Sequence, residues 1–244
     1  KERGLDIEVV WAKLSGGAAL NEALLADTID IASGGLAPLL TIWDRTRGSA
    51  DVRGVTALVS LPYYLTTNNP DVKTLADFTD KDRIALPSVT VSIQARILQM
   101  AAEQAFGPGQ HTRLDPLTVT LPHPEATAAM LSGGTEVTAH FTSPPFQEQQ
   151  LQDPKIHKVL SSYDVLGGPA TAIVLWAKAA YRDGSPGTYA AFLDALAEAV
   201  RIIEADKAEA ARTYVRVEGS KLDPAFVQSI IESPEVTFSL TPSH

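Results

Sequence analysis

The sequence predicts an α/β protein built from two lobes, and three observations carry this prediction. Short apolar runs alternate with longer Ala- and Leu-rich periodic segments, which is typical of strands and helices interleaved around a sheet. The 244 residues exceed the about 100–200 that are usual for one domain. A helix, turn, strand, helix pattern from Leu24 to Pro38 also recurs from Met130 to Pro144, a displacement of 106 residues.

The predicted strands are short runs of apolar and β-branched residues, at 6–11, 28–32, 54–61, 63–67, 83–86, 117–121, 136–141, 157–160 and 171–176. The predicted helices lie between them, at 16–26, 36–44, 74–79, 91–106, 124–132 and 144–151. Three further helices close the chain. We expect Ser185, Asp206 and Asp223 to cap them, with Pro186 and Pro224 at first helical positions.

The composition is sufficient for a buried core and argues against several classes of function. Hydrophobic residues make up 45% of the chain and charged residues 20%, as in globular proteins. The net charge of −9, with no run among the 20 basic residues, argues against nucleic-acid binding. The absence of cysteine excludes disulfides, a thiolate nucleophile and cysteine-bound metals. No stretch reaches the about 18 apolar residues of a membrane-spanning helix.

Four loops are candidates for ligand binding, because each joins a predicted strand to a helix, where α/β sheets offer free backbone N–H groups. They are 15–17, 33–35, 88–92 and 140–145. Each could also be a plain turn or a helix cap, and tyrosines or tryptophans such as Tyr63 are commonly packing residues. The residues that we expect to contact a ligand are Ser33, Gly34, Gly35, Tyr63, Ser88, Thr90, Ser92, His140 and Thr142.

Catalytic and metal-binding patterns are missing from the sequence. The five histidines lack metal-ligand spacing. The sequence also has no GxSxG elbow, no P-loop and no GxGxxG fingerprint. We therefore expect no catalytic residue, no metal and no cofactor.

With these residues in view, the chain resembles the nitrate/sulfonate/taurine-type substrate-binding proteins of ABC importers. The similar stretches cover most of the chain in the same order, at 3–10, 23–32, 72–78, 83–87 and 128–145. The resemblance implies a type II periplasmic-binding-protein fold, in which each lobe is a mixed sheet flanked by helices and the ligand lies in a cleft between the lobes. It implies one lobe from 1–78 with 170–244 and another from 79–169.

The resemblance also implies a function and a location. The expected role is that of a monomeric extracytoplasmic receptor that closes on a small polar or anionic molecule and delivers it to a membrane permease. Members of the family normally begin with one more strand and helix, which we expect to be missing here. Where sulfonate binders often have an aromatic-acid-proline sequence, this chain has Phe141-Thr142-Ser143-Pro144. The ligand class therefore stays open.

The loops 33–35, 88–92 and 140–143 contain no Arg or Lys, and Arg96 comes after the first turn of its helix. We therefore expect either that neutral N–H and hydroxyl dipoles hold much of the charge of an anionic ligand, or that the N-terminal segment expected to be missing contributes to holding it.

Two other classes of protein share this architecture. One is an enzyme, such as a pyrimidine-precursor synthase or a dehydratase, although the cysteine-rich motif of the former cannot exist in this chain. The other is the ligand-sensing domain of a transcription regulator. The order of the similar stretches and the helical C-terminal third favour the importer receptor.

Overall fold

A computed structural model describes residues 7–14 and 16–243. The chain divides into two compact units. The first contains the segment that ends at Leu14 together with Ala19–Ser60 and Thr171–Pro242, and the second consists mainly of Leu61–Ala170. This division differs from the predicted lobes over 61–78, because the strand within that segment pairs only with strands of the second unit.

The first unit contains one four-stranded sheet and six helices among the described residues. Its strands follow the order β1-β8-β2-β9 and every recorded pairing is antiparallel. The strands are β1 (Ile31–Gly35), β2 (Val52–Ser60), β8 (Thr171–Lys178) and β9 (Thr237–Phe238). The helices are α1 (Gly16–Leu25), α2 (Leu36–Arg45), α7 (Ala179–Gly184), α8 (Pro186–Ala205), α9 (Lys207–Glu218) and α10 (Pro224–Ile231).

The core of the first unit forms where α1 and α2 pack on β1 and β8. Trp176 is fully buried at its centre. Gly34 lies so close that a Cβ atom there would be 3.0 Å from both Leu20 Cδ1 and Trp176 Cη2. The other buried members are Leu24, Ala32, Leu39, Ile42, Val52 and Val174.

Two of the three predicted caps in the C-terminal third make the expected hydrogen bond. The side chain of Asp206 accepts from Glu209 N at 2.9 Å, and that of Asp223 accepts from Ala225 N at 2.8 Å. Ser185 stands at the expected position before Pro186, but its side chain makes no capping bond. Helix α8 has apolar residues along one face, and each of them is half-buried, at 189, 192, 193, 196, 200 and 203. Helices α7 and α9 and strand β9 contact α8.

The second unit contains one mixed five-stranded sheet with the order β5-β4-β6-β3-β7. Strand β4 is parallel to both β5 and β6, whereas β3 is antiparallel to β6 and β7. The strands are β3 (Tyr64–Thr67), β4 (Ile84–Leu86), β5 (Thr118–Thr120), β6 (Ala139–Thr142) and β7 (His157–Ser161). The helices are α3 (Ile93–Phe106), α4 (His123–Ser132), α5 (Phe146–Leu151) and α6 (Ser162–Leu166).

Most predicted elements are present, although the described part of the strand predicted at 6–11 is not a strand, and the structure adds α6, α7 and β9. Residues 7–14 form neither helix nor strand, and Val10 and Trp11 are more than 80% exposed at 81% and 84%. The helix predicted at 74–79 is a single 3₁₀ turn, Leu75–Asp77, and the strand predicted at 28–32 begins at Ile31. Within 7–14 and 16–243, no helix is long and apolar enough to cross a membrane.

Candidate functional site

Three strands of the second unit end at the same edge of its sheet. Because β4 runs parallel to β5 and β6, the residues after Leu86, Thr120 and Thr142 emerge side by side. These three loops lead into α3, α4 and α5. The carboxyl edge of parallel strands is the usual ligand-binding edge of α/β sheets. Two of the four predicted loops, 88–92 and 140–145, lie at this edge.

The loop before α3 contains three of the predicted site residues, which differ in what their hydroxyls do. Ser92 is buried, and its Oγ accepts from Ala95 N at 3.1 Å and donates to Ser88 O at 2.5 Å. Ser88 Oγ lies 3.4 Å from Thr90 Oγ1, and Thr90 is exposed. Ser92 is therefore engaged as the cap of α3, whereas Thr90 remains accessible to a ligand.

We expect Ser92→Ala to destabilise the second unit by about 1–2 kcal/mol, because α3 loses its side-chain cap and a buried partner of Ser88 O. Urea unfolding followed by circular dichroism measures this change. The control is Thr90→Ala, for which we expect a change of at most about 0.5 kcal/mol because Thr90 is exposed. Equal stability of the Ser92→Ala variant and the wild type would contradict the capping role.

Arg96 brings a positive charge to this loop. Its guanidinium Nη2 donates to Thr90 O at 2.6 Å, and Nη1 donates to Gln99 Oε1 at 2.8 Å. The expectation that neutral dipoles hold much of the charge of an anion is therefore modified, since Arg96, one turn into α3, folds back to Thr90, three residues before the helix begins. A cation beside a helix N-terminus strengthens the attraction for an anion.

A cluster of two histidines lies across the other two strand ends. His123 begins α4, and its Nδ1 lies 2.9 Å from Nε2 of His140 on β6 and 3.2 Å from Thr142 Oγ1. Its Nε2 lies 3.4 Å from Gln94 Nε2 on α3. His140 and Thr142 are fully buried, and His123 is partly exposed. The cluster thus connects α3, α4 and β6.

Both imidazoles of the cluster are neutral near pH 7. Burial lowers the pKa of His123 to about 4. Burial, and next the neighbouring His123, hold the pKa of His140 well below its usual range. A buried imidazole without a carboxylate partner favours its uncharged form. The histidines therefore act as neutral hydrogen-bonding groups.

A buried glutamine, Gln150, contacts the ring nitrogen of His140 that does not face His123. Gln150 Nε2 lies 2.7 Å from His140 Nδ1 and donates to Thr127 Oγ1 at 3.1 Å. Its Oε1 accepts from Thr66 Oγ1 at 2.6 Å. Gln150 and Thr66 are fully buried, so the sheet and α4 hold the amide of Gln150 in place.

Tyr63 lies near the same edge, because Tyr64 at the start of β3 pairs with Thr142. Tyr63 is buried, and its backbone is held to Ser162 by Tyr63 N donating to Ser162 Oγ at 2.9 Å and Ser162 N donating to Tyr63 O at 2.8 Å. Burial, and then Tyr163, raise the pKa of its phenol. These are the properties of a packing residue.

The remaining predicted residues, Ser33, Gly34 and Gly35, belong to the first unit. They lie within β1 rather than in a loop, since all three pair with β8. The prediction of a strand end at 32 was displaced by three residues. Ser33 is exposed, and the close neighbours of Gly34 are Leu20 and Trp176.

Sequence reasoning missed His123, Gln94 and Gln150. His123 was tested only for metal-ligand spacing, and the signal that identifies it is its place in Leu121-Pro122-His123-Pro124, directly between a strand and a helix. In the described part of the chain no group of three or more His, Asp or Glu residues is placed to bind a metal ion.

Comparison with known structures identifies the fold. The alkanesulfonate-binding protein of Xanthomonas axonopodis pv. citri bound to MOPS matches 94% of this chain and 75% of its own, at 21% identity and a TM-score of 0.73. The periplasmic aliphatic sulphonate binding protein of Escherichia coli matches 98% of this chain and 77% of its own, at 20% identity and a TM-score of 0.69. The predicted periplasmic-binding-protein fold is confirmed.

A further structural relative is the ligand-binding component of an ABC-type import system from Staphylococcus aureus with zinc bound. It matches 95% of this chain and 74% of its own, at 16% identity and a TM-score of 0.66. A comparison with curated proteins gives no match. The model of the NMT1-like family matches residues 1–217, which is most of the chain, and the protein therefore belongs to the NMT1-like family.

Proposed function

We propose that this protein is the solute-binding receptor of an ABC importer and that it captures a small oxygen-rich anion, with sulfonates as the first candidates. The observation that carries the proposal is the edge of the second sheet at the N-terminus of α3, where the neutral His123 lies beside Gln94 in the first turn and the guanidinium of Arg96 contacts Thr90 O just before the helix. Hydrogen-bond donors of this kind recognise an oxyanion.

The likeness in fold to sulfonate-binding proteins from two bacteria supports the choice of ligand class. Taurine is itself a sulfonate, and nitrate is an alternative oxyanion of a different class. The proposal also includes how the receptor works and where. We propose that it is an extracytoplasmic monomer, that its two lobes close about a hinge, and that it delivers the ligand to a membrane permease.

The contacts of the two histidines favour binding over catalysis. A histidine that acts as a general base is commonly oriented by a third group, often a carboxylate, and lies beside a nucleophile. The neighbours recorded for His123 and His140 are amides, a hydroxyl and the ring of Phe146. The hydroxyl is that of Thr142, which is fully buried and shares His123 Nδ1 with the closer His140. It is therefore not presented to a substrate as a nucleophile, which supports a receptor rather than an enzyme on this fold.

Thermal unfolding in the presence of candidate solutes tests the proposal. At one hundred times its Kd a ligand stabilises the native state by about 2.7 kcal/mol, which raises Tm by roughly 5–10 °C for a protein of this size. The probes are ethanesulfonate, taurine, MOPS, nitrate and bicarbonate, each as the sodium salt. Sodium chloride at equal ionic strength is the control.

We expect at least one sulfonate to raise Tm and sodium chloride to leave it unchanged. A rise with nitrate alone would replace sulfonates by nitrate as the ligand class. Identical melting curves with all five probes and with sodium chloride would contradict the proposed anion receptor.

A further inference from the structure

We infer that His123 is a ligand-binding residue that donates through Nε2–H, together with the amide of Gln94, to an oxygen atom of the ligand, and that His140 and Gln150 are positioning residues that fix the required tautomer. This inference rests on the proposed function and names the donor that would select the ligand. It follows from the direction of the hydrogen bonds through four side chains.

The chain of hydrogen bonds begins at Gln150. Thr66 Oγ1 lies 2.6 Å from Gln150 Oε1 and 3.1 Å from His140 O, and we assign its single proton to the shorter contact. Gln150 Oε1 therefore accepts from Thr66, and Gln150 Nε2 faces Thr127 and His140 Nδ1, at 3.1 and 2.7 Å. An amide nitrogen can only donate. His140 Nδ1 therefore accepts, and the single proton of the neutral imidazole lies on Nε2.

The same reasoning passes from His140 to His123. His140 Nε2–H donates to His123 Nδ1 at 2.9 Å, and the hydroxyl of Thr142 lies 3.2 Å from the same nitrogen. Since Nδ1 of His123 accepts, the proton of this neutral ring lies on Nε2. The buried network thus fixes the tautomer of a residue that is itself partly exposed.

The outer end of the network presents two donors to one place. His123 Nε2–H lies 3.4 Å from Gln94 Nε2, which is also a donor. Two N–H groups do not hydrogen-bond to each other, so with the Nε2–H tautomer neither donor is satisfied by the other. Both can instead donate to one oxygen about 2.9 Å from each nitrogen. A sulfonate or nitrate oxygen meets this requirement, because it carries no proton and can only accept hydrogen bonds. A ligand group that can only donate, such as an ammonium, does not meet it.

The position of His123 and Gln94 favours the binding of an anion. His123 is the first residue of α4 and Gln94 lies in the first turn of α3, so both stand where helix N–H groups are free. The loop from Thr120 to His123 and the loop from Leu86 to Ser92 leave adjacent parallel strands. The donors are therefore held by two helices and one sheet edge rather than by a mobile side chain.

The first experiment measures the tautomers directly. Two-bond and three-bond ¹H–¹⁵N correlation spectra of ¹⁵N-histidine-labelled protein at pH 7.5 distinguish Nε2–H from Nδ1–H rings. Signals are assigned with the variants His123→Gln and His140→Gln. We expect the Nε2–H tautomer at both positions in the protein without added ligand. An Nδ1–H tautomer at His123 would overturn the inference, because its Nε2 would then present a lone pair to the ligand.

The second experiment measures affinity for ethanesulfonate by titration calorimetry. We expect His123→Leu to weaken binding by about 20-fold or more, since a donor to a charged group is lost. His123→Gln, whose amide nitrogen can occupy the place of Nε2, should stay within about 5-fold of the wild type. His111→Leu is the matched control, because His111 is an exposed surface histidine of the same unit beside Glu103, and its affinity should not change.

The outcomes separate the inference from the proposed function. Binding by the wild type and equal binding by a folded His123→Leu variant would overturn the inference alone. A wild type that binds neither ethanesulfonate nor the other four anions would overturn the proposed function and the ligand contact together. Weakened binding in His123→Leu with rescue in His123→Gln supports both, because loss of packing alone would not be restored by a polar amide.

Discussion

Replacing Asp82 by alanine is expected to destabilise the second unit by about 3–4 kcal/mol. The carboxylate is buried, with 1% of the residue exposed. It accepts from Asn69 Nδ2 at 2.9 Å, Thr138 Oγ1 at 2.8 Å and Thr79 N at 2.9 Å. Removing it leaves several donors without their partner, and each hydrogen bond to a charged group contributes about 1.5–3 kcal/mol, with incomplete additivity.

The loss of stability should extend beyond the loop that contains Asp82, because Asp82 connects the starts of the neighbouring strands β4 and β6. Thr138 precedes β6, and its hydroxyl also accepts from Arg83 N at 3.2 Å, just before β4. Loss of Asp82 therefore loosens the opposite end of the two strands that lead to the candidate site. Weaker ethanesulfonate binding is expected to accompany the lower stability.

Urea unfolding monitored by circular dichroism measures the free energy, and Asp80→Ala provides the matched control. Asp80 is exposed two residues away, so its replacement should change stability by at most about 0.5 kcal/mol. Asp82→Asn, which keeps one oxygen acceptor, should fall between the two variants. If Asp82→Ala unfolds at the same urea concentration as Asp80→Ala, this carboxylate does not organise the strand starts.

Mild acid is expected to destabilise the protein through its buried histidines. The pKa of His123 is lowered to about 4 in the native state, whereas an unfolded histidine has a pKa of about 6.5. As the pH falls to about 6.5 and below, the unfolded state therefore binds a proton that the native state does not bind. The contribution of neutral His123 to stability is fully present well above pH 6.5 and declines as the pH falls. Between pH 7.5 and 5 this linkage removes about 2 kcal/mol for His123.

His140 acts in the same direction, since its pKa is also lowered, and it is the titratable group that contacts His123 directly. The pKa values of Asp77, Asp82, Asp183 and Glu209 are lowered as well. Their stabilisation is present above the unfolded carboxyl pKa values, about 4, and is lost below them. The interval from pH 7.5 to 5 therefore reports mainly on histidines.

Urea unfolding at pH 7.5, 6.5, 5.5 and 5 measures this decline. His123→Gln should have a smaller decline than the wild type, because one of the two buried imidazoles is gone. A free energy of unfolding that stays constant or rises from pH 7.5 to 5 would show that these histidines are not buried in their neutral form.

Local features of the fold were predictable because their chemistry lies within a few residues. Ser92, Asp206 and Asp223 precede helices and accept from backbone N–H groups two or three residues ahead. The repeat between Leu24 and Met130 also corresponds to two similar segments, α1-β1-α2 and α4-β6-α5.

Features that depend on distant partners were misplaced. The run 28–32 has the residues of a strand, but Thr28 caps the end of α1 through Ala23 O, and pairing with β8 begins only at Ile31. Residues 61–78 directly follow β2, a nine-residue strand of the first unit. Only the pairing of β3 with β6, more than 70 residues later, places them in the second unit.

The candidate site shows the same limit. The helix start at Ser92 and the strand end at Thr142 could be recognised from their neighbours. His123, His140, Gln94 and Gln150 lie on four different elements, and neither periodicity nor spacing relates them. Their proposed roles depend on which side-chain nitrogen of one residue contacts which nitrogen of the next. These contacts can be seen only in the folded structure.

We expect this protein to bind a small anion and to release it unchanged. Titration calorimetry with ethanesulfonate, followed by ¹H NMR of the solute recovered after unfolding the complex, tests both binding and chemical recovery in one sample. We predict one saturable site per chain, with a Kd in the micromolar range or below, and complete recovery of the original solute. Absence of binding heat for ethanesulfonate, taurine, MOPS, nitrate and bicarbonate would show that the protein is not a receptor for these anions, and recovery of a chemically altered solute would show that it is an enzyme.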